Sequence, residues 1–447
     1  VAQFSSSNIR SDPPEYVNLL TNAGFGVWSN STLENVGSAI LEDDCSADNT
    51  GDWNITGDSL TFDTDHYEFA ASAVNKEIWD SLILEGGKIY KISIDVKDGT
   101  ASSQTFNLRY WTDGDAGFSP TYTTTGSWVT YTWVFQSNNV GTSQNFKPIY
   151  ITSNPGGNNV EIKNISIYEV TPGCIAADAL GLDGWTKDST LDIYREHNGS
   201  NTKKGEFYSL KMVPTAQDNW VYWPKDINDQ KEHLERFSGR TVTTGAWIKS
   251  STANDIRIRI QAAPGRGSSS YHSGGGDWEW LEVTYTVPTD NTQFYVQIQH
   301  GNASPGTAYI SQPMLIFGSS IGEGNYVPQV GEIIYFEDAN IILNSYNTVT
   351  VSVNTVICLE SESNGKIPKG IKALKMQGQG QCGTVGKALS FGKDTTNIWD
   401  LRGYAQVAVK NFAVTGWVPA DSDGNIAVSR NDTIAGVIIR PLGVQLR

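Results

Sequence analysis

Apolar and polar residues alternate with a period of two along most of this chain from about residue 60 onward, whereas helical spacing is scarce and is best expressed at Asp226–Arg236. In the segment KIYKISIDVKDG, Tyr90, Ile92, Ile94 and Val96 share one face, and in FNLRYW so do Phe106, Leu108 and Tyr110. The stretch GSWVTYTWVFQ contributes Val129, Tyr131, Trp133 and Phe135, and KPIYITS contributes Ile149 and Ile151. Each such set predicts a strand with one buried face and one outward face.

The same succession returns in RTVTTGAWIKS, IRIRIQ, GDWEWLEVTYTV and TQFYVQIQHG, and it closes with AYISQPMLIF where the first copy closes with VEIKNISIYEV. A small-residue and tryptophan signal opens each copy, Gly51-Asp52-Trp53 and Asp183-Gly184-Trp185. The pattern predicts an all-β chain of two tandem jelly-roll sandwiches and a smaller C-terminal β-sandwich. The expected division is an arm at 1–13, sandwiches at 14–171 and 172–322, and a C-terminal β domain at 323–447. Apolar strands such as TVTVSVNTVI in that last unit invite burial against symmetry mates, which predicts a homotrimer.

The segment NLLTNAGFGVWSN, followed by GDW and a G-x-W strand, resembles the opening of family 4/9-like carbohydrate-binding modules; the second copy lacks that opening. The resemblance implies a jelly-roll fold and glycan binding. Further on, IPKGIKAL and GWVPADSDGNIAVSRNDTIAGVIIRPLGV look like the sandwich domains that end many phage tail-fibre proteins, with Asp423-Gly424 as a hairpin turn. Together the resemblances imply a fibre, spike or decoration protein on a virion surface that touches host or environmental glycans and other virion proteins. The alternatives are a purely structural virion component and a secreted, glycosidase-associated binding protein.

Charge narrows the partners. The formal net charge is -16, and no Lys/Arg cluster offsets it, so nucleic acid and anionic membrane surfaces are poor partners. No apolar run is long enough to span a bilayer, and the first residues carry no apolar signal core, which predicts folding in the host cytoplasm. Cys45, Cys174, Cys358 and Cys382 have no metal or redox spacing.

Motifs with catalytic spelling lack their context. Gly378–Gly383 spells G-x-G-x-x-G without the strand and helix of a dinucleotide site, and Gly318–Gly322 spells G-x-S-x-G with no helix after it. The five His residues are isolated, and the expectation is a protein without enzymatic activity. Asp43, Asp44 and Asp63 offer oxygen ligands for a structural calcium ion near the start of the first copy, against the reading of solvated acidic loops.

The outward faces supply the binding candidates. In the second copy, alternation turns Trp247, Arg257, Arg259, Gln261, Trp280, Glu282, Tyr295, Gln297 and Gln299 away from the core. Aromatic rings stack on the C–H faces of pyranoses while Arg, Gln and Glu reach hydroxyls, so this set reads as a glycan face. The first copy offers a thinner one, with Arg109, Trp111 and Tyr150 beside Asp95, Lys97, Asn107 and Thr130.

Overall fold

A computed structural model describes residues 17–446 apart from 87, 113–114, 138–142, 154, 176–180, 226–230, 330, 338–354, 383–384, 399, 405, 407–409 and 431–433. It is almost wholly antiparallel β-structure, as the alternation requires. The predicted helix is present as Lys231–Phe237. Among the described residues no helix is long and apolar enough to cross a membrane. The arm at 1–13 and most of TVTVSVNTVI lie outside the described residues.

The first sandwich faces one sheet, built on strands Val129–Gln136, Ile89–Asp98 and Asn159–Cys174, against a second built on Thr105–Thr112, Ser143–Ile151 and Glu77–Ile83. Its core takes most of the residues that alternation assigned inward, among them Tyr90, Ile92, Ile94, Val96, Phe106, Leu108 and Ile149, whereas Val129, at the start of its strand, is exposed. Trp53 joins that core, with its indole N–H donating to Asp43. In strand Asn159–Cys174 the pairing register shifts between Lys163 and Ser166, where Asn164 takes a left-handed φ of 51°. This is a bulge, and it keeps Ile162 and Ile165 both inside despite their odd spacing.

The second sandwich packs the sheet of Asp192–Glu196, Ser209–Val213, Ala308–Phe317, Thr241–Ser250 and Trp278–Thr286 against a five-stranded sheet. In order, that sheet runs Thr186–Lys187, Trp220–Trp223, Tyr295–His300, Ile256–Ala262 and Gly265–Ser268. The two sandwiches are continuous, because Gly173 and Cys174 pair with Tyr194 and Ile193.

One expectation changes here. The NLLTNAGFGVWSN segment, assigned by sequence to the first sandwich, packs into the second: Leu20, Ala23, Phe25 and Trp28 share a core with Trp185, Leu210, Ile258 and Leu315. Asn18 ties it to the closing strand, donating to the Pro313 carbonyl and accepting from the Leu315 amide. Asn22, fully buried, accepts from the amides of Gly26 and Val27 and donates to the Val27 and Asp183 carbonyls. The first sandwich is therefore threaded into the second after its opening segment. Its two ends are neighbours, since strand Thr32–Asn35 pairs with the end of Asn159–Cys174 in the register Thr32 to Gly173.

The C-terminal unit is a smaller sandwich of two four-stranded sheets, with Leu374, Met376, Phe391, Val428 and Ile439 in its core. Val27 reaches into that core from the opening segment. A buried ion pair joins this unit to the second sandwich: Arg195 meets Glu360 at 2.7 Å, and the Tyr208 hydroxyl donates to the same carboxylate.

Candidate functional site

The five-stranded sheet of the second sandwich presents its outer face as cross-strand rows. Val221, Ile258, Ile260, Val296 and Ile298 point into the core, which turns their neighbours outward. One row runs Trp220, Gln299, Arg257; the next runs Thr186, Tyr222, Gln297, Arg259, Ser268; the third runs Tyr295, Gln261, Arg266. The register thus brings six predicted residues together: Arg257, Arg259, Gln261, Tyr295, Gln297 and Gln299.

Trp220 and Tyr222 belong to the same face and were not anticipated. The signal was present in WVYW, where Val221 and Trp223 alternate inward and the other two outward. The Trp220 and Tyr222 rings lie 4.7 Å apart, and Tyr222 and Tyr295 5.1 Å, a continuous aromatic row across two strands. Burial and the neighbouring Tyr222 hold the Tyr295 phenol above its ordinary pKa, so it remains a neutral hydrogen-bonding group. The Arg257 guanidinium sits 4.4 Å from the Tyr271 ring, and the Gln299 amide donates to Asp218.

Trp247, Trp280 and Glu282, predicted for the same face, are on the other sheet. They do point away from the core, as Leu281 and Val283 point into it. That outer side is covered, however. Trp280 packs with Met314, Ile316, Ile321 and Tyr326, and its ring lies so close over Gly245 that a Cβ there would stand 2.4 Å from it. Glu282 accepts from the Trp280 indole, the Ser320 hydroxyl and the amides of Ile321 and Gly322. Trp247 is buried under the Lys203 ammonium. Trp280 and Glu282 hold down the linker to the C-terminal unit, with Trp247 packed edge-on against Trp280, and the G-x-S-x-G segment is part of that linker.

In the first sandwich, Arg109 and Tyr150 share the outer face of their sheet, while Asp95, Lys97 and Thr130 are on the opposite sheet. Trp111 is on the same strand as Arg109, and its side chain lies outside the described residues. Arg109 lies against both Phe118 and Tyr150, at 4.3 and 4.8 Å from their ring centroids, and Tyr150 donates to Asn75. Lys147 pairs with Glu77 at 2.5 Å. The polar groups of this face are spent on one another.

The three carboxylates named for calcium do not form a cage. Asp43 is buried and accepts from four donors: the Cys45 amide, Asn49, the Trp53 indole and the Tyr67 hydroxyl. N–H and O–H groups occupy its lone pairs, which is a structural role. Asp44 bonds the Ser46 amide, and among the described residues Asp63 groups instead with His66 and Glu68. The His66 ring nitrogens face Asp65 and Glu161. Among the described residues Cys45 and Cys358 form no disulfide, and the G-x-G-x-x-G glycines Gly378 and Gly380 are inside the strand Ala373–Cys382, not in a phosphate loop.

No protein-family profile matches the chain, and neither does any curated protein sequence. Among solved structures it is similar to the tandem CBM22-1–CBM22-2 domains of Paenibacillus barcinonensis Xyn10C, with 13% identity over 64% of this chain and 99% of that one and a TM-score of 0.29. It is similar also to the N-terminal cellulose-binding domain of Cellulomonas fimi β-1,4-glucanase C, with 12% identity, 30% and 97% coverage and a TM-score of 0.24. A third is TmCBM61 in complex with β-1,4-galactotriose, with 14% identity, 34% and 98% coverage and a TM-score of 0.20. Likenesses of this size carry no assignment, and the functional reading rests on the face described above.

Proposed function

We propose that the chain is a carbohydrate-binding protein whose ligand lies across the outer face of the five-stranded sheet of the second sandwich. The observation that carries this reading is the aromatic row of Trp220 and Tyr295 on either side of the buried Tyr222, set beside amide and guanidinium side chains in register. Rings offer stacking surface to the C–H faces of sugars, and the polar rows offer paired hydrogen bonds to hydroxyls. Strand positions fix both in place, as a preorganised site requires.

Affinity electrophoresis of the full chain through a panel of soluble plant, algal and bacterial polysaccharides tests this. At least one should retard it, and Trp220→Ala should weaken that retardation by about tenfold or more, since stacking on an aromatic is worth roughly 1–3 kcal/mol. A panel without effect, or a Trp220→Ala variant that binds as well as the parent, overturns the reading.

The setting we propose is a virion surface, with the chain as a fibre, spike or decoration protein and residues 323–447 joining three copies. Support for the joining of copies comes from the edge strand Ile333–Tyr335, where Ile333 and Tyr335 are 49% and 58% exposed. Light scattering that returns a monomer at micromolar concentration overturns the trimer.

A further inference from the structure

The proposed carbohydrate face reverses the charge of the molecule. The chain carries 48 acidic and 32 basic residues, yet the three rows of this sheet hold Arg257, Arg259 and Arg266 and no carboxylate. Directly across the strands, Arg257 faces Gln299 and Arg259 faces Gln297, both neutral. Asp218, at the end of the face, is engaged by the Gln299 amide.

Two of these guanidiniums also lack a counterion among the described residues. Arg259 is only 9% exposed, and the Nε groups of Arg257 and Arg259 are buried with no hydrogen bond among those residues, as are those of Arg109 and Arg195; the difference lies in the carboxylate partner. Elsewhere the chain neutralises its buried guanidiniums: Arg195 meets Glu360 at 2.7 Å and the Gly365 carbonyl, and Arg109 is 4.0 Å from Glu77. Arg is charged at every physiological pH, so a nearly buried Arg without a counterion is costly unless something outside the chain supplies the charge. The Tyr271 ring, 4.4 Å from the Arg257 guanidinium, is a cation–π contact that does not neutralise its charge, so an anion can still pair with it.

We infer that this face takes an anionic saccharide, bearing carboxylate or sulfate groups, with Arg257, Arg259 and Arg266 as the anion-recognising side chains. The inference rests on the carbohydrate reading and names the class of sugar. A chain of net charge -16 repels polyanions in general, so affinity for one must come from a local site.

Calorimetry with the full chain and matched ligand pairs tests it: polygalacturonate against its carboxyl-reduced form, and a sulfated galactan against its desulfated form. At least one charged ligand should bind about tenfold more tightly than its neutral partner, with the preference shrinking in high salt. The pair that shows the preference identifies carboxylate or sulfate as the source. Arg259→Gln and Arg257→Gln should each erase most of that preference. Arg266→Gln, at an exposed position that folding does not depend on, should reduce it and keeps the test valid if a buried variant fails to fold. Equal binding of charged and neutral partners, or a preference unchanged in the Arg variants, overturns the anionic assignment and leaves the carbohydrate reading standing. Absence of binding to every ligand, with Trp220→Ala indistinguishable from the parent, overturns both.

Discussion

Trp280 and Val283 sit three residues apart on one strand and project from opposite sides of it, Val283 into the core and Trp280 onto the sheet's outer surface. Val283→Ala removes two buried methyl groups and should cost about 1–3 kcal/mol. Outwardness suggests that Trp280→Ala would cost little stability and much affinity. Its packing on Gly245, Met314 and Ile316 reverses both expectations. Trp280→Ala should lower the melting temperature by several degrees, release the Gly318–Tyr326 linker to proteolysis and leave polysaccharide retardation unchanged. A variant with parental melting and lost retardation would return Trp280 to the ligand face.

At the scale of strands, alternation was legible because the side-chain period is fixed by backbone geometry. It assigned Ile92, Phe106, Ile258 and Val296 to cores that the structure confirms. What alternation cannot carry is the sheet to which a strand belongs. A sandwich has two outsides, and the residues grouped for the second copy divide between them: Arg257 and Tyr295 on one, Trp280 and Glu282 on the other. The aromatic pair Trp220 and Tyr222 was readable by the same rule. The placement of Phe25 and Trp28 was not, because their partners come after the whole first sandwich in sequence. This has a direct test. Residues 175–322 expressed alone lack Leu20, Phe25 and Trp28 and should be unfolded by circular dichroism, while 17–31 joined by a short linker to 175–322 should melt cooperatively. Cooperative melting of 175–322 alone would show that the opening segment is dispensable.

Across the whole molecule, the units are clamped by buried acids at the opening segment. Glu332 accepts the Asn22 amide, and Asp183 accepts the amide and hydroxyl of Ser29. Burial pushes Glu332 from 4.5 up to about 7; burial, aided by the nearby Glu337, pushes Asp183 from 3.8 up to about 6. A folded-state acid with a raised pKa binds its proton more tightly than the unfolded chain does, so its contribution declines as pH rises from the unfolded value through the folded one. Glu332→Gln should therefore match the parent near pH 4.5 and exceed its stability increasingly toward pH 8, by up to about 3 kcal/mol. A melting difference that is constant between those pH values overturns this.

The side-by-side ends of the threaded sandwich, Thr32 and Gly173, also impose an order of events. As the chain emerges from the ribosome, residues 17–31 must wait for strands near residues 220, 258 and 310 before they have a surface to cover. A flexible interruption of roughly 140 residues would impose a loop-closure cost on that reunion. Once the intervening sandwich has folded, its paired ends deliver Ser31 beside the first strands of the outer sandwich, and the interruption shrinks to the span of one strand pair. Synthesis direction and topology then agree: the inserted unit matures first and serves as the clasp on which the outer one closes.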